Sequence, residues 1–136
     1  MPNNITSTRE DFARRLIAYE AESSKSGEGK DSRSFGVCEK LRAPLSRMTG
    51  IASFRSLLSR ALALAGAEAP WLRALHIRAD GTLEGLEELK IAEEKIISGE
   101  VVLVARFIEL LVTFIGPTMT LELLQNVWPK MEDLNF

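Results

Sequence analysis

The sequence is poor in reactive side chains, with one cysteine, one histidine and one tyrosine among its 136 residues. Because Cys38 is the only thiol, an internal disulfide and a cysteine-based zinc cluster are both excluded. Because His76 is the only imidazole, a metal site made of several histidines is excluded as well. Cys38 lies on an apolar face beside Val37 and Leu41, which favours a core residue over a nucleophile. We therefore predict no catalytic residue, no metal and no cofactor.

A targeting signal is also missing from the start of the sequence. The segment MPNNITSTREDF has no basic stretch followed by an apolar run, so it does not have the pattern of a secretory signal. A single cysteine is consistent with a reducing compartment. We predict a cytoplasmic protein.

Charge is nearly balanced over the chain but unevenly distributed. The formal net charge of −2 does not indicate a polyanionic partner. Residues 1–83 have 13 basic and 9 acidic side chains, a net of +4, whereas residues 84–136 have 4 and 10, a net of −6. The two parts could therefore pair within one chain or between two copies.

The most apolar stretch is VVLVARFIELLVTFIGP, residues 101–117. Fifteen helical residues up to Ile115 span about 22 Å, which is shorter than the roughly 30 Å core of a bilayer. Arg106 and Glu109 near its middle would be costly in lipid. They form a narrow polar strip with Thr113, and the rest of the helix is apolar. We therefore predict a buried central helix over about 99–116, ended by Gly116-Pro117, and no membrane span.

The remaining patterns predict a mainly α fold, a small helical bundle around that central helix. An amphipathic helix is predicted within residues 1–22, a flexible linker over 23–34 that has no apolar side chain, and a single helical domain over 35–136. Asp80-Gly81 predicts a minor two-stranded β-hairpin near 74–86 with a two-residue loop.

Boundary residues predict where individual helices begin and end. Pro44 should interrupt a helix over 34–42, and Gly66 should end the helix that starts at Ile51. Ser98 should cap the central helix, and Thr118 or Thr120 the final helix, which Pro129 follows.

Two other motifs have ordinary structural explanations. SGEGKDS, residues 26–32, resembles part of a phosphate-binding loop. However, Ser24 stands where that loop needs its first Gly, and Asp31 stands where it needs Ser or Thr. The glutamates between Glu84 and Glu94 match no metal-loop spacing and are typical of a solvated helix surface.

Three sets of residues are candidates for binding. Large apolar side chains that could contact a partner or fill the core are Phe12, Leu16, Tyr19, Trp71 and Trp128. The polar strip of the central helix consists of Arg106, Glu109 and Thr113. A possible basic patch for phosphate backbones consists of Arg47, Arg55 and Arg60, within the Arg-rich segment 33–78.

The segments FRSLLSRALALAGAEAPWL, HIRADGTLEGLEEL and LLVTFIGPTMTLELLQNVWP together resemble a family of small, uncharacterised bacterial helical proteins. The shared C-terminal pattern is Phe114-Ile115-Gly116, Thr120-Leu121 and Trp128-Pro129, and the resemblance covers residues 35–130. It implies a cytoplasmic helical domain of bacterial origin, and it implies no activity and no functional residue.

We predict a non-enzymatic protein–protein interaction or regulatory module that associates with itself or with another protein. A helix tethered by a linker is a common partner-binding element, which supports this prediction. The first alternative is a small-molecule binding protein or enzyme with a pocket between helices. The second is nucleic-acid binding through the Arg-rich segment 33–78, against which the acidic C-terminal part argues.

Overall fold

Four helices and one small hairpin make up the fold in a computed structural model that describes residues 4–24, 35–131 and 134. The helices are α1 (Asn4–Ser24), α2 (Gly36–Thr49), α3 (Ile51–Glu68) and α4 (Glu93–Val127). The strands are β1 (His76–Ile77) and β2 (Leu83–Glu84), and single 3₁₀ turns cover Pro70–Ala74 and Leu86–Glu88. The predicted mainly α bundle with a minor hairpin is confirmed. The predicted linker lies outside the described residues from position 25 to its end at 34.

The centre of the bundle is the first part of α4. Nine of the ten residues in 99–108 are buried, and Val102 is half-buried. Helices α1, α2 and α3 all pack against α4. Phe107 meets Phe54 of α3 edge to face, with ring centroids 5.9 Å apart, a favoured geometry for aromatic pairs. The apolar stretch is therefore the core helix of the fold.

A backbone break at Gly116 divides α4. Its φ of 87° and ψ of 161° lie in a region open essentially to glycine alone, and Pro117 then starts the second segment. The predicted end of the central helix at Gly116 is confirmed. Capping by Thr120 was wrong, because its hydroxyl donates back to the Gly116 carbonyl at 2.7 Å from inside the second segment.

Two further boundary predictions were wrong where packing outweighed local preference. Helix α2 continues through Pro44, because Leu41 and Leu45 on either side of it are fully buried and hold the chain against the core. Helix α3 continues past Gly66, which is itself buried, to Glu68.

The start of the central helix was also placed too late. Helix α4 begins at Glu93 after Ala92, and Ser98 lies inside it with no capping role.

The helix has 35 residues, and by length and composition it could cross a membrane. The helix is therefore not too short to span a bilayer, in contrast to the length of about 22 Å expected from the sequence. The burial of 44% of its most apolar 18-residue window, and the pairing of Arg106 described below, favour a core helix.

The hairpin is antiparallel, with His76 opposite Glu84 and Ile77 opposite Leu83. Its loop is longer than the predicted two residues. The Gly81 N–H donates to the Arg78 carbonyl, and Gly81 takes a φ of 90°. This is the three-residue loop in which glycine occupies the left-handed position after a turn.

Candidate functional site

The surface on which α1 rests is the most informative part of the structure. Phe12, Ala13 and Leu16 lie on one face of α1 and are completely buried against α4 and α2. Burying Phe12 and Leu16 stabilises this contact by about 2–3 kcal/mol each. Tyr19 is half-buried beside them. These three candidate interaction residues thus contribute to the core of their own chain, and we call the surface that receives them the α1 groove.

One end of the α1 groove is a charge cluster around Arg106. The guanidinium Nη2 donates to Glu10 of α1 at 2.7 Å, and Nη1 donates to Glu109 at 2.8 Å. Nε lies 3.2 Å from Glu68 of α3, but its N–H is not directed at that oxygen, so this contact is an ion pair without a hydrogen bond. Arg106 therefore ties three helices together through carboxylates.

The electrostatics of this cluster favour the charged guanidinium. The Arg106 side chain is 8% exposed, and burial alone would lower its pKa. The hydrogen bond that Arg106 donates to Glu109 and the charges of Glu109, Glu68 and Glu10 outweigh burial and raise the pKa of Arg106. Arg106 and Glu109 of the polar strip pair with each other, whereas Thr113 is exposed and donates to the Glu109 carbonyl.

The other end of the α1 groove contains a second polar cluster around Glu20, which is 6% exposed. Its Oε1 accepts a hydrogen bond of 2.9 Å from Nε1 of Trp128 and lies 3.3 Å from Nζ of Lys40. Gly36, the first residue of α2, makes room for this carboxylate, since a Cβ there would lie 3.1 Å from Glu20 Cγ. The first turn of α2 thus lies directly beside the Glu20 side chain.

Glu100 of α4 is the second buried carboxyl of this cluster, also 6% exposed. No hydrogen bond or ion pair joins it to another residue in the described part of the chain. Burial and then the negative charge of Glu20 raise the pKa of Glu100 to about 8. This carboxyl is therefore largely protonated at neutral pH.

The thiol of Cys38 on α2 is buried as well. Burial, followed by the charges of Glu100 and Glu39, raises the pKa of Cys38 well above its usual value. A thiol that is buried and kept protonated is a poor nucleophile. Cys38 therefore lies in the core, as its apolar neighbours in the sequence predicted.

The other candidate residues lie away from the α1 groove or line its end. Trp128 is buried and donates to Glu20. Trp71 is half-buried and packs on α4 at Gly99, where a Cβ would lie only 2.4 Å from its ring. Arg47, Arg55 and Arg60 are exposed, and no carboxylate pairs with them within residues 4–24 and 35–131.

Sequence reasoning missed the carboxylates that define both ends of the groove. A signal was available for Glu20, because it continues the i, i+4 line of Phe12 and Leu16 and so occupies the buried face of α1. Glu10 lies 96 residues from its partner Arg106. No pattern along the chain could have indicated that pairing.

The described residues contain no group of three or more His, Cys, Asp or Glu side chains placed to hold a metal ion. Of the glutamates near the hairpin, Glu84 pairs with Arg78 at 2.8 Å. Exposed side chains follow at Glu93 and Glu94. No protein-family model, curated protein or solved structure matches the chain.

Proposed function

We propose that the protein is a non-enzymatic interaction module that self-associates by exchanging α1 between copies. The observation that carries this proposal is that α1 contacts the rest of the bundle through one buried face. Helix α1 is held by the apolar residues Phe12 and Leu16 and by the end groups Glu10 and Glu20. The described polar contacts of these end groups, with Arg106, Trp128 and Lys40, all lie after the predicted linker. A second copy presents an identical groove, so its α1 could form the same contacts.

A closed monomer and an exchanged dimer differ in which copy supplies α1 to each groove. Both states contain the same buried surface and the same charge pairs, so these contacts cancel in the comparison. The balance then depends on the linker and on protein concentration. Residues 25–34, KSGEGKDSRS, have no apolar side chain that would favour one path of the chain.

Energy transfer between labelled copies tests the exchange of α1. One full-length copy carries a donor at Ala18→Cys on α1, and another carries an acceptor at Ser59→Cys on α3. Both positions are exposed, and the buried Cys38 should stay unlabelled. Mixing the two should produce transfer that rises with concentration, together with a dimer in sedimentation velocity.

A matched control places both labels on the bodies of the copies, at Ser56→Cys and Ser59→Cys, positions that are likewise exposed. This pair reports association without exchange. A chain that stays monomeric over the whole accessible concentration range, with no transfer from the α1 label, would overturn the proposal.

A second candidate function, binding of a nucleic-acid backbone, is favoured by the exposure of Arg47, Arg55 and Arg60 without carboxylate partners among the described residues. Each arginine–phosphate contact should steepen the slope of log binding constant against log salt concentration by about one unit. Retention on heparin should fall in Arg55→Ala/Arg60→Ala and be unchanged in Arg14→Ala, an exposed arginine on α1. Equal retention of all three proteins would exclude this function.

A further inference from the structure

Helix α1 contacts α4 on both sides of the break at Gly116. Near its start, Glu10 accepts a hydrogen bond of 2.7 Å from Arg106, in the first segment of α4. Near its end, Glu20 accepts one of 2.9 Å from Nε1 of Trp128, which directly follows the second segment, residues 117–127. One helix is therefore fastened to both segments of the other.

The bend in α4 matches its two contacts to the short distance that α1 covers. Glu10 and Glu20 are about 15 Å apart along the axis of α1, at 1.5 Å per residue. A straight helix would separate Arg106 from Trp128 by about 33 Å, roughly twice as far. The φ of 87° and ψ of 161° at Gly116 interrupt the helix between them, so the second segment takes another direction. Both contacts of α1 therefore belong to the bent form of α4.

Packing at the break itself is open among the described residues. A Cβ at Gly116 would meet no atom within 4 Å apart from its neighbours in the chain, and Pro117 is exposed. Because Pro117 has no N–H, one backbone hydrogen bond of a continuous helix cannot form here. The direction of the second segment therefore depends on contacts farther along the chain, where Leu124 and Trp128 are buried.

We propose that α1 is a brace that holds α4 bent at Gly116, and that release of α1 frees the second segment to turn about this break. The brace is a property of a single chain. Its use as a signal rests on the proposed exchange of α1. The second segment is fixed while the groove contains an α1, from its own chain or from a second copy, and becomes mobile when the groove is empty.

A substitution at the break tests the brace from the side of α4. Alanine disfavours a φ of 87°, and before Pro117 it prefers a negative φ with extended ψ, so Gly116→Ala should redirect the second segment. Hydrogen exchange in the dilute full chain measures the result, with the core amides of residues 101–108 as the internal reference. We expect α1 amides to exchange at least about tenfold faster relative to this reference.

Gly50→Ala is the matched control. Gly50, between α2 and α3, has a φ of 92° and a ψ of 151°, and a Cβ there would also meet nothing within 4 Å. The backbone strain is therefore similar, but no break of α4 is involved. The α1 amides should stay within about threefold of the wild type relative to the reference. An equal rise in both variants would show that strain at any helix junction loosens α1, and would overturn the inference.

A variant of α1 tests the brace from the other side and covers the case in which Gly116→Ala does not fold. Glu10→Ala removes the contact with Arg106, at the end of α1 away from Trp128. The amides of residues 117–127 should still exchange at least about threefold faster relative to the reference, because the loosened α1 no longer holds them. Asp11→Ala, which changes the next acid along α1 with 73% of its side chain exposed, should leave them unchanged. Unchanged exchange over 117–127 in Glu10→Ala would overturn the inference, and so would unchanged exchange of α1 in a folded Gly116→Ala.

The two proposals fail in different ways. Joint loosening of α1 and residues 117–127 without energy transfer between copies would support the brace and exclude the exchange. Energy transfer between copies, with residues 117–127 unaffected by Glu10→Ala, would support the exchange and exclude the brace.

Discussion

Glu10 and Arg106 are 96 residues apart in the chain and are joined by a hydrogen bond of 2.7 Å between Oε2 and Nη2. Arg106 is the buried partner, with 8% of its side chain exposed, and Glu10 is 24% exposed. Since the same guanidinium also contacts Glu68 and Glu109, one side chain connects α1, α3 and α4. A charge in this position is tolerated because its carboxylates compensate for lost hydration.

Replacing this arginine should destabilise the fold. Arg106→Met leaves three carboxylates near one another without a counter-charge, and it should lower the free energy of unfolding by about 2 kcal/mol, since these carboxylates keep part of their hydration. Urea denaturation followed by circular dichroism measures the change. The control, Arg55→Met, changes an exposed arginine and should stay within about 0.5 kcal/mol. Equal effects of the two variants would show that the Arg106 cluster contributes nothing specific.

Truncating the main apolar anchor of α1 should be costly. Phe12 is completely buried, so Phe12→Ala should lower the free energy of unfolding by about 3–4 kcal/mol, or detach α1 if the rest of the bundle persists. Limited proteolysis separates the two results, because a detached α1 is cut first within residues 4–24. Arg14→Ala on the exposed side of the same helix should change stability by less than about 0.5 kcal/mol. A stable, protease-resistant Phe12→Ala would contradict the packing of α1.

Two helical glycines should respond differently to alanine. At Gly99 the new Cβ would lie 2.4 Å from the rigid ring of Trp71, so Gly99→Ala should cost about 1–3 kcal/mol despite the better helix propensity of alanine. At Gly66 the nearest atom is Cγ of the flexible, exposed Arg73 at 3.0 Å, so Gly66→Ala should be close to neutral. Thermal unfolding measures both variants. Combining Gly99→Ala with Trp71→Phe should recover part of the loss, and a strictly additive double variant would argue against this contact.

The buried thiol should be inert in the folded protein. Burial and the charges of Glu100 and Glu39 raise the pKa of Cys38, so very little thiolate is present at neutral pH. Reaction with a disulfide reagent should be at least about 100-fold slower in the native protein than in urea. An engineered surface thiol, Ser59→Cys, provides the accessible control. Fast native labelling of Cys38 would show that the core opens readily near α2.

Much of the fold could be predicted because its strongest signals are local. The apolar run before Gly116 predicted the core helix, Asp80-Gly81 predicted the hairpin, and Phe12 and Leu16 predicted the buried face of α1. The helix ends predicted at Pro44 and Gly66 were wrong. Both residues tend to end a helix locally, and the packing of neighbouring buried side chains overrides this tendency.

The amino-acid sequence by itself determined the helical character of the chain, its break at Gly116 and which faces are apolar, because side-chain periodicity and backbone preference act over a few residues. Only the tertiary structure decided that Arg106 meets carboxylates from three helices and that Glu20 pairs with Trp128 and Lys40. Electrostatic contacts of this kind depend on distance in space and on exclusion of water, and residues up to 108 positions apart acquire both only when the helices pack.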